Sequence, residues 1–162
     1  MDFTRLKAVD LGKHFEHLLI AQLIKLEFDI FVPLADKGID FIARKTVNGR
    51  PKYFEVQVKA VRRKGGRLTI NPRTFHQHEG LFLFFFDVKN KEDYDAYVIP
   101  STFVCNGKDK DGKKVFEIQQ QKEKDIYRLS TTESGLKKIE RFSWDFKALL
   151  KGDENPFEMR LN

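Results

Sequence analysis

Asp40, Glu55, Gln57 and Lys59 are the residues of this sequence whose types and spacing suggest chemistry. They lie on either side of Asn48-Gly49, a strong two-residue hairpin turn between two alternating segments, residues 39–45 and 52–59. With Asn48 and Gly49 at the centre of a primed turn, Val47 faces Arg50, and each later pair steps one residue back and one forward. Phe41 then meets Val56, Ala43 meets Phe54 and Ile39 meets Val58 on an apolar face. Asp40 meets Gln57 and Ile42 meets Glu55 on the other face. Thr46 falls opposite Pro51 at a non-hydrogen-bonded pair, where the missing proline N–H is not demanded. Asp40 and Gln57 form another such pair, so their Cβ atoms should lie ~4.5–5.5 Å apart. Alternation puts Glu55, Gln57 and Lys59 on one face at a rise of ~3.3 Å per residue.

Two carboxylates, an amide and an ammonium are thus expected to converge. Hydrolysis of a phosphodiester asks for oxygen ligands to Mg²⁺ or Mn²⁺, a cation to offset charge developing on phosphate, and a means of activating water. Asp40 would be the main ligand, position 57 would complete the site and Glu55 would help to bind a second ion. Lys59 would orient the water or stabilise the transition state. A solvated hairpin face could carry the same residue types as surface decoration. Glu16 argues against so bland a reading. On a helical wheel it sits between Leu23 and Val9, inside the apolar arc, where an unpaired carboxylate costs on the order of several kcal/mol. It therefore needs a cation, either at a metal site or in a salt bridge to a residue such as Lys59.

The elements that must position these residues follow from periodicity. Residues 6–26 repeat apolar side chains at helical spacing through Val9, Phe15, Leu19, Ile20, Leu23 and Leu26. Strands are expected at 29–33, 39–45, 52–59, 68–70, 81–88 and 96–99, with the continuous apolar run 81–88 central in the sheet. Residues 72–79 read as a turn or helical stretch. A short helix after Ser101, a polar turn at 106–114 and weaker strands at 115–119 and 126–129 follow. The tail reads as helix over 135–150, interrupted near Ser143. A chain of 162 residues suits one domain. The class is α/β with a mixed sheet, an N-terminal helix, a β-hairpin bearing the polar constellation, and flanking helices.

The succession of a helix bearing Glu16, then Gly38-Ile39-Asp40, then Glu55-Val56-Gln57-Val58-Lys59 resembles the PD-(D/E)XK nuclease superfamily, particularly members with Gln in the last motif. The resemblance spans roughly residues 10–100. It implies a restriction-endonuclease-like core, metal-dependent cleavage of DNA, and a site at Glu16, Asp40, Gln57 and Lys59. Two departures from the pattern stand out. Ile39 occupies the place of the family's Pro, and Gln57 replaces a carboxylate, which removes one negative charge from the site.

Thirty Lys and Arg against twenty-four Asp and Glu give a formal charge of +6 and an isoelectric point near 9.3, which suits a polyanionic partner if the charge is clustered. The segment 59–67 leaves the expected catalytic strand carrying Arg62, Arg63, Lys64 and Arg67, where it could grip phosphate beside the cut. The second basic run, 108–114, alternates with Asp109 and Asp111 and reads as a solvated turn with little net field. His14 with His17, and His76 with His78, lack a third ligand. Cutting both strands of a duplex needs two sites, so a nuclease this small is expected to act as a homodimer or higher symmetric assembly. One cysteine excludes an internal disulfide. The absence of a signal-like N-terminus, and an apolar run at 81–86 far short of the ~20 residues that span a bilayer, point to the cytoplasm. The rival readings are an inactive nuclease-fold DNA-binding module and a protein-interaction subunit.

Overall fold

The N-terminal apolar periodicity forms helix α1 (Ala8–Lys25) in the computed structural model, which describes residues 2, 3, 5–35, 37–63, 66–121, 124–144, 156 and 157. Leu11, Phe15, Leu19 and Leu23 are its buried face, together with Glu16 and Gln22. Val9, expected on that face, is 76% exposed, because the chain enters the helix there at the rim of the core. The helix stops at a left-handed residue. Glu27 takes φ 63°, and its N–H and that of Phe28 turn back to the carbonyls of Ile24 and Leu23 at 3.0 Å each, the paired bonds of a Schellman motif.

The strands that follow are β1 (Asp29–Phe31), β2 (Phe41–Val47), β3 (Arg50–Arg62), β4 (Arg67–Ile70), β5 (Leu81–Val88) and β6 (Tyr94–Pro100). Then come α2 (Ser101–Asn106), β7 (Glu117–Gln121), β8 (Lys124–Ser130), α3 (Glu133–Lys137), a 3-10 turn (Glu140–Phe142) and β9 (Ser143–Trp144). A six-stranded sheet runs in the order β1-β2-β3-β5-β6-β9, and a three-stranded sheet in the order β4-β8-β7. The β3–β5 pair is parallel and the others are antiparallel. The fold is mixed α/β, a multi-stranded sheet with flanking helices. Among the described residues no helix is long and apolar enough to cross a membrane.

The β2–β3 hairpin has the expected register from Val47↔Arg50 to Phe41↔Val56, including Thr46↔Pro51. Asn48 and Gly49 supply the two positive φ values, 52° and 74°, of the primed turn. All eight residues of β5 are buried, because the sheet is covered on both sides. On one side α1 packs Phe15 and Leu19 against Phe41, Val56, Phe84 and Phe86. On the other, the small sheet, α2 and α3 cover Leu81, Leu83 and Phe85 with Leu68, Ile70, Leu129 and Leu136. That second layer was not foreseen, nor was the shape of the tail. The helix expected over 135–150 is instead the five-residue α3, the 3-10 turn and β9, which pairs Trp144 with Ala96; residues 145–150 lie outside the described residues. Burial of Trp144 in the α1-side core outweighs the helical pattern.

Candidate active site

The expected pairing fails where the candidate chemistry begins. Asp40 N–H donates to the Val56 carbonyl at 2.9 Å, although Phe41 is the residue paired with Val56. Asp40 and Phe41 thus both oppose Val56, the one-residue offset of a β-bulge. The consequence is a change of face. Ile39 packs against the core beneath the small sheet instead of meeting Val58, and Asp40 does not meet Gln57 across a ladder pair.

At the bulge β2 ends while β3 runs on, leaving Val58 N–H without a strand partner on that side. The Asp40 carboxylate takes it, with Oδ2 accepting at 2.6 Å. Gln57, the preceding residue, is 4% exposed and donates from Nε2 to the Gly38 carbonyl at 2.6 Å. Its Oε1 is buried with no hydrogen-bond partner. Gly38 is at φ 89°, and a Cβ there would collide with the Thr74 side chain, so the approach to Asp40 is pinned by the loop between β4 and β5.

Glu16 is buried on α1 and accepts from Lys13 Nζ at 2.6 Å. The cation that the apolar arc required is therefore Lys13, one helical turn away, and not Lys59. Burial pushes the Asp40 carboxyl above its usual range, Val58 N–H pulls it back, and Glu16 pushes it further, while Lys59 and Lys13 lower it. Glu16, Asp40, Lys59 and Lys13 thus share one electrostatic neighbourhood at the open edge of β3. Lys13 and the Gly38 carbonyl are the members that sequence reading missed. The i,i+3 spacing of Lys13 and Glu16 was the available signal.

The remaining expected residues have other attachments. Glu55 meets His78, Oε2 to Nε2 at 3.0 Å, beside the loop that precedes β5. Arg62 donates to the carbonyls of Phe3, at 3.0 Å, and of Leu6, tying the N-terminal segment to β3. Arg63 bonds the fully buried Asp87 and, at 2.8 Å, Asp95. These two arginines are spent on internal acceptors because the end of β3 lies against β5 and the N-terminal segment. Arg67 is exposed on β4, and Lys64 lies outside the described residues.

The candidate oxygen donors are the Asp40 carboxylate at the sheet edge, the Glu16 carboxylate on α1 within its electrostatic reach, and the orphaned amide oxygen of Gln57, whose side chain lies on the small-sheet side in register with Leu83. Among the described residues no three His, Cys, Asp or Glu side chains come together. Mg²⁺ keeps several waters and takes only one or two carboxylates from protein, so oxygen donors of this type are the kind it uses, and the neutral amide of Gln57 would cost such a site one negative charge. No protein-family model, curated protein or solved structure matches the chain.

Proposed function

We propose that this protein is a metal-dependent DNA endonuclease with a restriction-endonuclease-like core of the PD-(D/E)XK kind, formed by the chain as a single unit and acting as a symmetric oligomer. The observation that carries the reading is the Asp40 carboxylate anchored on the Val58 N–H at the open edge of β3, with a buried, unpartnered Oε1 on the preceding residue, Gln57. A buried acceptor without a partner costs about 1–3 kcal/mol, and oxygen ligation of a cation would offset it. Gln22 Oε1 and Asp87 Oδ1 share the condition. Gln57 differs in its place at the bulge, between Gly38 and the backbone that holds Asp40.

Asp40 and Gln57 would hold Mg²⁺ or Mn²⁺, with Glu16 adding negative potential from α1. The ion would supply Lewis acidity toward phosphate and a water more easily deprotonated than in bulk. Asp40 is kept in one orientation by Val58 N–H. Lys59, on the same strand and within electrostatic reach of Asp40, offers a fixed positive charge for the phosphate oxygens as charge develops on them. Gly38 and Thr74 limit movement of the chain into Asp40, which supports preorganisation.

A second reading has its own observation. Gln57 is neutral and its Nε2 is already bound to Gly38, as suits a nuclease fold that binds DNA without cutting it. Cleavage decides between the two. Purified protein with Mg²⁺ or Mn²⁺ is expected to cut supercoiled plasmid or branched DNA, and Asp40→Ala and Lys59→Ala are each expected to lose at least a hundredfold in rate while keeping the fold. DNA binding by wild type with no cleavage of any of these substrates would favour the inactive module.

A further inference from the structure

The three-stranded sheet and α3 bring Arg67, Arg128 and Lys138 around a recess of about 260 Å³. Strand pairing explains the convergence: Arg67 lies opposite Ser130, and Arg128 opposite Glu117. Glu117, the carboxylate of this recess, accepts from Gln119 Nε2 at 3.2 Å, and Arg128 donates to the neutral Gln119 Oε1. Lys138 also lines an adjoining recess of about 480 Å³, which Lys108, Lys110, Lys137 and Arg141 share with Asp109 and Asp111.

The two acids of the second recess offset two of its five cations. Asp109 turns its carboxylate onto its own loop, accepting the N–H groups of Asp111 at 3.0 Å and Lys113 at 2.9 Å, and meets Lys138 at 3.4 Å. Arg141 lies over the rings of Phe103 and Phe142, 4.4 and 4.8 Å from their centroids, which holds a planar cation at the surface. The two recesses hold seven Lys and Arg against three Asp and Glu, a surplus of four within a chain whose whole surplus is six. The basic run 108–114 is therefore no isolated neutral turn. Tertiary packing adds the cations of residues 137–141 to it. None of these residues surrounds Asp40.

We propose that this joined face is a second DNA contact, apart from the Asp40 edge, that holds the phosphate backbone of a duplex without reading its sequence. Adjacent shallow recesses rich in Lys and Arg suit a row of phosphates, and the hydroxyls of Ser130 and Ser134 in their linings are further donors to phosphate oxygen. The inference borrows from the nuclease reading its choice of DNA, and it is tested through binding alone.

The test titrates wild-type protein into a short fluorescent duplex in EDTA, at several salt concentrations, beside two triple variants. Arg67→Ala/Lys108→Ala/Lys137→Ala strips the face; Lys25→Ala/Arg50→Ala/Lys52→Ala removes the same charge elsewhere. Matching thermal midpoints establish that all three proteins are folded. The slope of log affinity against log salt is expected to become shallower by about 2–3 in the face variant, at roughly 0.9 for each phosphate no longer neutralised, and to stay unchanged in the control. Equal slopes for the two variants, or no salt-dependent binding by the wild type, would overturn the proposal. Failure of the nuclease reading looks different: the wild type binds with the expected slopes and does not cut when Mg²⁺ is supplied.

Discussion

Asp40 is held in opposition. Burial and Glu16 push its carboxyl above the ordinary Asp range, and Val58 N–H, Lys59 and Lys13 act the other way. A raised folded value means that, between the unfolded and folded values, the folded protein binds more protons. Stability from this group is thus greatest at low pH and declines as pH rises through that window. The same burial that raises this carboxyl disfavours its ionised form at neutral pH, a cost that the cation proposed for this site would offset. Glu16→Gln is expected to move the Asp40 titration to lower pH, since it removes a like charge and releases Lys13 from its partner, whereas Lys13→Met should move it to higher pH. The carboxyl ¹³C shift of Asp40 reads both, and movement in the same direction would sink this account. The residue types of the site were legible in the sequence, because Glu16 broke an apolar arc and Gln57 and Lys59 stood at period two. The partner of Glu16 and the direction of Asp40 were not. Both depend on where the ladder stops, which no local pattern encodes.

At the scale of elements, legibility followed the range of the interactions. The β2–β3 register was readable because a two-residue turn with Asn48 and Gly49 at positive φ leaves one pairing. The bulge at Asp40 was hidden because it answers to Thr74 against Gly38 and to the open Val58 N–H, contacts across the fold. The small sheet was hidden because β4 pairs with β8, Ile70 against Tyr127, across a long stretch of intervening chain. The tail misled through helical spacing that the burial of Trp144 overrode. The end of α1 makes a separate, local prediction. Glu27 adopts a left-handed conformation that favours glycine, at an exposed position in a Schellman motif. Glu27→Gly is expected to raise stability by about 0.5–1 kcal/mol, since relief of the left-handed strain outweighs the added chain entropy. Urea unfolding at neutral pH measures it, and a lower midpoint with an unchanged m-value would contradict the assignment of strain to that residue.

At the scale of the whole molecule, the described residues carry a candidate catalytic edge at the end of β2 and, apart from it, the basic face proposed along the small sheet, α3 and the loop after α2. Two strands of a duplex run in opposite directions, so one such edge meets one strand in the right polarity, and a second cut needs either a second protomer or a second encounter. These routes leave different products. A symmetric assembly with an edge on each strand should convert supercoiled plasmid to linear form with little nicked circle, whereas independent protomers should accumulate nicked circle first. Mixing sharpens the distinction. Adding excess Asp40→Ala protein, which keeps the basic face, should turn a wild-type assembly into mixed oligomers that cut one strand, so that nicked circle rises as linear product falls. If protomers act alone, the inactive variant competes for DNA and slows both products without changing their ratio. A ratio that stays constant across the mixing series, with light scattering giving the mass of one chain on DNA, would rule out the symmetric assembly and leave sequential nicking as the mode of action.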